Sequence, residues 1–209
     1  MASTSVSQND SYHGLSHQES LAAFNVTKDQ YFAARPDLEF THIATSALVV
    51  VPTGEDQKPH ILLLQRAAHD SNPHKWEPPG GACDDEDESI LYGAARELRE
   101  ETGFTAVHIQ HMIEPSHFFS ARSGRKICRF NLVVRIKEVS VDGKPSVPLL
   151  DPNEHQNYVW ATEDEVRAGR AGSIDLDFTR NEVKQTVLKA LSTFALTPVE
   201  RTRFSDSVD

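Results

Sequence analysis

The alternation of apolar and polar positions divides the chain into short strands and a few amphipathic helices. Ile43 to Val51, rich in β-branched residues, predicts a strong strand, and Ile61 to Leu64 a second, short one. Gly54-Glu55-Asp56 turns the chain between them, and Asn72-Pro73 marks His69 to Lys75 as a loop. Val107 to Ile113 and His117 to Ala121 also read as strands. After a Ser123-Gly124 turn, Arg125 to Ile136 forms a long strand that sets Cys128, Phe130, Leu132, Val134 and Ile136 on one face. Asn157 to Trp160 is a further short strand.

Helical periodicity is clearest at Ile90, Leu91, Ala94, Ala95 and Leu98. Asp85 and Glu88 have capping-box spacing, which predicts a helix start just after Asp85. Gly103 is placed to close that helix as a left-handed cap, and Gly93 inside it predicts a close neighbour. Thr162 with Glu165, and Thr179 with Glu182, predict two more helix starts. The last of these helices carries the stripe Val183, Val187, Leu188 and Leu191. The fold class is α/β with a mixed sheet. Residues 1–40 form an N-terminal extension, partly helical or disordered, with room for one or two short helices between Glu19 and Phe32 and Pro36 as the break. Residues 41–197 form one domain, and 198–209 a polar tail.

Composition narrows the picture. The 209 residues suffice for one domain with a substantial core, and no apolar run reaches the ~20 residues of a membrane helix. The Ser-rich start is not a secretory signal. Cys83 and Cys128 lack metal or redox spacing, which indicates a reduced intracellular compartment, the cytoplasm. A net charge of −10 argues against binding a nucleic-acid duplex, although a bound cation can reverse the field in one pocket. Much of the acidity lies between Asp84 and Glu101.

Within that stretch Glu97, Glu100 and Glu101 stand at i, i+3 and i+4, so they fan across one side of a single helical turn. Three carboxylates there repel one another and oppose the negative end of the helix dipole. A hard divalent cation such as Mg2+ or Mn2+ removes the conflict and also contacts substrate phosphates. Spacing alone leaves a solvated acidic face open as the alternative.

The flanking residues decide between these readings. Gly81 to Phe104 resembles the Nudix box, G-x5-E-x7-R-E-U-x-E-E-x-G-U, with U a bulky apolar residue. Glu88, Arg96, Glu97, Leu98, Glu100, Glu101, Gly103 and Phe104 match at the right mutual spacing, after Trp76-Glu77-Pro78-Pro79-Gly80. Six residues rather than five separate Gly81 from Glu88, which reads as a one-residue insertion in the acidic loop before Glu88. The resemblance implies a Nudix-type α/β/α sandwich and a Mg2+- or Mn2+-dependent hydrolase that cleaves a diphosphate linkage. It implies that Glu97, Glu100 and Glu101 bind the ions, with the Gly81 carbonyl as a further ligand. Arg96 would orient a glutamate, Glu88 would brace the loop–helix junction, and a box glutamate or the later-loop Glu154 would take the proton from water.

Substrate contacts are expected from Arg66, from Arg129 in the basic group with Arg122, Arg125 and Lys126, and from Trp76 stacking a base. A charged edge strand and a packed aromatic are the competing readings of the last two. Phe118 and Phe119 read as core in preference to pocket lining, and His108 and His111 as surface or strand-packing residues. The markers of the ADP-ribose, diadenosine-polyphosphate and coenzyme-A groups are absent. A small-molecule diphosphate therefore remains as substrate: nucleotide sugar, nucleoside triphosphate, inositol pyrophosphate or isoprenoid diphosphate. A non-catalytic nucleotide sensor and an isoprenoid-diphosphate isomerase are the alternatives. The N-terminal extension is available to cover the active site or a homodimer interface.

Overall fold

The structure, a computed structural model, describes residues 14–54, 57–120, 124–138 and 145–196. Arg122 and the tail after Pro198 lie outside them, as do Glu55, Asp56 and Ser123 of the two expected turns. In chain order, β1 (Ser16–His17), a 3-10 helix (Glu19–Phe24) and α1 (Lys28–Ala33) precede β2 (His42–Leu48) and β3 (Val50–Thr53). Then come β4 (Lys58–Arg66), β5 (Trp76–Glu77), α2 (Ile90–Thr102), β6 (Ala106–Met112), β7 (His117–Ser120) and β8 (Lys126–Ile136). The chain closes through β9 (His155–Thr162), α3 (Glu163–Ala168), the hairpin β10 (Arg170–Ala171) and β11 (Ile174–Asp175), and α4 (Asn181–Leu196).

One sheet runs β1-β6-β8-β2, with β7 also on β8, and mixes parallel pairs (β1 with β6, β2 with β8) with antiparallel ones. The other is antiparallel, with β4 paired to β3, β5 and β9. Ile61 and Leu63 of β4 join Val183, Val187 and Leu191 of α4 in one core cluster. Leu62 and Leu64 join Leu91, Ala94, Ala95 and Leu98 of α2 in another. A strand covered by a helix on each face reads as an unbroken apolar run, which explains why Ile61 to Leu64 shows no alternation. The sheets form the middle layer of an α/β/α sandwich. Cys128, Phe130, Leu132, Val134 and Ile136 are all buried, as their period of two predicts.

The expected single strand Ile43 to Val51 is two strands. The chain leaves the first sheet after Leu48 and enters the second at Val50, while the Val49 carbonyl accepts from the Leu62 N–H at 3.0 Å. Apolar pattern reports burial, and burial continues across the switch.

The helix start near Asp85 is also corrected. Ser89 caps α2, its hydroxyl accepting from the Tyr92 N–H at 3.1 Å, and Glu88 is exposed. Gly103 closes the helix in the left-handed region (φ 71°). The Thr162–Glu165 capping box on α3 is complete. The Thr179–Glu182 one does not form: α4 begins at Asn181, and the Thr179 hydroxyl turns instead to Glu77 at 3.5 Å.

The N-terminal segment is stitched to the domain. β1 pairs with β6, the Val26 carbonyl accepts from the Ile90 N–H at 3.0 Å, and Lys28 reaches the Cys83 carbonyl at 3.0 Å and the Asp85 carboxylate. Phe24 and Tyr31 pack on Phe130 with ring centroids 5.0 and 5.6 Å away. No helix among the described residues is long and apolar enough to cross a membrane.

Candidate active site

The loop before α2 lies along the edge of β2 as an irregular ladder. The Thr45 N–H donates to the Gly81 carbonyl, the Ala47 N–H to the Pro79 carbonyl and the Cys83 N–H to the Ile43 carbonyl, all within 3.0 Å. This strap brings the two glycines under the acidic turn of α2. Gly80 adopts φ 146°, and a Cβ there would lie 2.2 Å from the Thr45 carbonyl oxygen. A Cβ on Gly81 would lie 2.5 Å from a Glu97 carboxylate oxygen. Gly80 therefore requires glycine for its backbone geometry, whereas a side chain at Gly81 would displace the Glu97 carboxylate.

Arg96 organises the turn. Its Nε and Nη2 form a fork on Asp87 at 2.8 and 3.0 Å, Nη1 donates to Glu97 (3.0 Å) and Glu100 (2.9 Å), and Nη2 also reaches the Ala82 carbonyl. The bracing acid is thus Asp87, 5% exposed, and not Glu88. Asp87 fits because Gly93 has no side chain: a Cβ there would stand 2.6 Å from Asp87 Oδ2. The signal was available in the sequence. Counted forward from Gly81, the acid position of the box falls on Asp87, so the extra residue lies after it rather than before Glu88.

Glu101 is 4% exposed, and its Oε2 accepts from the Gly80 N–H at 2.7 Å. Burial raises its pKa well above the ordinary carboxylate value, opposed by the Gly80 hydrogen bond and reinforced by Glu97, Glu77 and Glu154. Burial likewise pushes Glu97 up to about 7, against the pull of Arg96 and with the charges of Glu100 and Glu154 adding to it. Glu100 is the exposed member, with 53% of its side chain accessible.

Glu154 arrives from the far side. Asp151 holds its loop by accepting from the Asn153 N–H at 2.8 Å, a turn that Asp-Pro-Asn favours. The Ala67 N–H donates to the Glu154 carbonyl at 2.8 Å. The Glu101 and Glu154 carboxylates and a ring nitrogen of His155 lie within 4.8 Å of one another. His155 is 3% exposed, its Nδ1 has no hydrogen-bond partner, and burial lowers its pKa to about 4. A buried carboxylate and an exposed one beside an unpartnered buried imidazole are a donor set that fits a divalent cation.

A cavity of about 470 Å3 lies beside this cluster, lined by residues that include Arg66, Glu77, Phe119, Arg129 and Arg180. Glu77, 4% exposed, is its hub, bound by Arg66 and, at 3.3 Å, by Arg129. Arg66 also grips Asp70 through two hydrogen bonds, so of the expected substrate residues it lines the cavity already well paired. Arg129 and Arg180 lie 5.6 and 4.7 Å from the centroid of the Phe119 ring. Phe119 therefore lines the cavity rather than the core, and Phe118 is 67% exposed.

Trp76 is corrected as well. It is fully buried against α4 and the second sheet, with its indole Nε1 donating to the Asp175 carbonyl at 3.0 Å, so it stacks on no ligand. Glu77, His155 and Arg180 escaped the sequence reading. Of these only His155, next to Glu154, had a local cue.

The NUDIX domain family matches residues 42–181. A MutT protein from Methanosarcina mazei Go1 has the same fold, with a TM-score of 0.52 at 24% identity, over 77% of this chain and 100% of that one. An Ap4A hydrolase from C. elegans, crystallised as a binary complex, aligns with a TM-score of 0.54 at 22% identity, over 74% and 98%. Among curated proteins, the CMP-5'-(N-acetyl-N-hydroxy-3-aminopropyl)phosphonate hydrolase of Streptomyces rubellomurinus is 34% identical over 74 residues. That alignment covers 35% of this chain and spans about a third (34%) of the relative.

Proposed function

Because the chain belongs to the NUDIX domain family, we propose that it is a divalent-metal-dependent hydrolase of a diphosphate linkage in a small organic molecule, with Mg2+ or Mn2+ as the ion. The observation that carries this reading is the convergence of Glu97, Glu101 and Glu154 with no basic side chain other than Arg96 hydrogen-bonded to Glu97 among the described residues. Glu97, Glu100 and Glu101 hold the ions, with one lone pair of the Gly81 carbonyl still free beside its bond to Thr45.

Divalent ions held by these carboxylates would supply charge neutralisation of the diphosphate and a lowered pKa for the attacking water. Arg96 keeps Glu97 and Glu100 aligned through charge-assisted hydrogen bonds, and Asp87 keeps Arg96 aligned in turn. The Gly80 N–H fixes Glu101. Glu154, the exposed acid of the later loop, accepts the proton from the water as its oxygen attacks phosphorus and the P–O bond of the linkage breaks.

The organic part of the substrate occupies the adjoining cavity. Phe119 offers a ring face to a planar group, Arg129 and Arg180 attract its negative charge, and Glu77 accepts hydrogen bonds from it. A nucleotide satisfies all three, and the names of two relatives, the Ap4A and CMP-phosphonate hydrolases, each carry one.

The test is a panel of nucleoside-diphosphate and other organic diphosphate compounds with saturating Mg2+ or Mn2+, comparing wild type with Glu100→Gln and Glu101→Gln. Both variants are expected to fold and to lose metal-dependent release of phosphate or monophosphate. Unchanged turnover in both sinks the assignment of the site.

A further inference from the structure

His155 is unlike the other groups around the site. It is 3% exposed, it follows Glu154 in the loop anchored by Asp151, and its Nδ1 is buried with no hydrogen-bond partner. A buried polar nitrogen without a partner is unfavourable, so its persistence asks for a ligand. Glu101 Oε1 lies 3.9 Å from it, beyond hydrogen-bonding distance.

The spacing suits a shared cation. Two donors that each lie about 2.1 Å from one ion stand roughly 3 Å apart when adjacent and about 4.2 Å apart when opposite. The 3.9 Å between His155 Nδ1 and Glu101 Oε1 falls inside that range, and Glu154 is the third group within 4.8 Å. A neutral imidazole presents its lone pair to a metal at neutral pH, whereas a protonated one does not.

We propose that His155 is a nitrogen ligand to the ion held by Glu101, and that it makes this site prefer first-row transition ions such as Mn2+ and Co2+ over Mg2+. This rests on the metal-dependent reading above and refines it. Mg2+ demands oxygen donors and sheds its waters reluctantly, while imidazole raises the affinity of the transition ions. Glu154, the exposed member of the trio, then borders the ion's remaining positions, consistent with a role as proton acceptor.

The experiment is Mn2+ binding followed by electron paramagnetic resonance, with Mg2+ and Co2+ as competitors, on wild type, Glu101→Gln, His155→Asn and His155→Ala. Circular dichroism and thermal melting check each fold. The asparagine variant sets an amide oxygen close to the position of Nδ1. It is expected to bind Mg2+ within about threefold of wild type and to lose about tenfold in Mn2+ affinity. The wild-type electron spin echo should show 14N modulation from a coordinated imidazole, absent in His155→Asn. An identical Mn2+/Mg2+ preference in wild type and His155→Asn overturns the inference, as does retained 14N modulation. Should neither histidine variant fold, lack of 14N modulation in the wild type overturns it alone. Mn2+ binding lost in Glu101→Gln but indifferent to His155 leaves the metal reading intact and removes only this refinement. No Mn2+ binding to wild type removes both.

Discussion

Asp87→Ala and Glu88→Ala are adjacent substitutions with opposite expected outcomes. The alanine at 87 deletes the fork on Arg96 (2.8 and 3.0 Å) and the acceptor of the Asp84 N–H (2.8 Å) from a site that is 5% exposed. Charge-assisted hydrogen bonds contribute roughly 1.5–3 kcal/mol each. Arg96 keeps Glu97, Glu100 and the Ala82 carbonyl and is 17% exposed, so the net loss falls below the sum, at about 2–3 kcal/mol. A released guanidinium leans further onto Glu97 and Glu100, and divalent-ion affinity should drop by about tenfold. Glu88→Ala removes an exposed side chain and should stay within about 0.5 kcal/mol and leave metal binding unchanged. Urea unfolding gives the first quantity and a Mn2+ titration the second. Equal effects of the two substitutions, or a larger one at Glu88, refute the assignment of Asp87 as the brace.

Gly81→Ala puts a methyl 2.5 Å from a Glu97 oxygen, and since that carboxylate ends a movable side chain, kcat/KM should fall at least about tenfold with little change in melting temperature. Trp76→Phe loses the hydrogen bond to Asp175 and leaves a void; unfolding should be easier by about 2 kcal/mol with KM unaltered, whereas a raised KM without destabilisation restores the base-stacking role. The Arg66 guanidinium holds the Asp70 carboxyl well below the usual carboxylate range. A depressed folded-state pKa stabilises above the unfolded value and is lost as pH falls towards the folded one. Asp70→Asn should therefore destabilise by about 2 kcal/mol at pH 7 and flatten the stability profile below about pH 4, as acid titrations of unfolding will show.

Much of this was legible along the chain. Period two in β8 and the stripe on α4 report burial directly, and the box carboxylates follow from fixed offsets within one helix. What escaped depends on contacts distant in sequence. Whether Trp76 faces a ligand or the core is set by α4, a hundred residues later, and whether Phe119 packs inward is set by where Arg129 and Arg180 arrive. Asp87 and Glu88 illustrate a different limit. Both are acids near a helix start, and only the depth of the pocket above Gly93 separates the buried one from the exposed one. The sheet switch at Val49 was hidden because both sides of it are equally apolar.

The stitching of the N-terminal segment to α2 has a practical consequence for where a minimal version of this enzyme can begin. A chain started at His42, where the family match begins, would keep every acid of the site. It would also lose the Val26 carbonyl at the first N–H of α2 and strip Phe24 and Tyr31 from Phe130, baring the apolar surface around Ile90 and Cys128. Uncovered patches of that kind promote self-association. A trimmed protein that aggregates would then be reporting a missing lid on its hydrophobic interior, and its silence in an assay would say nothing about its chemistry.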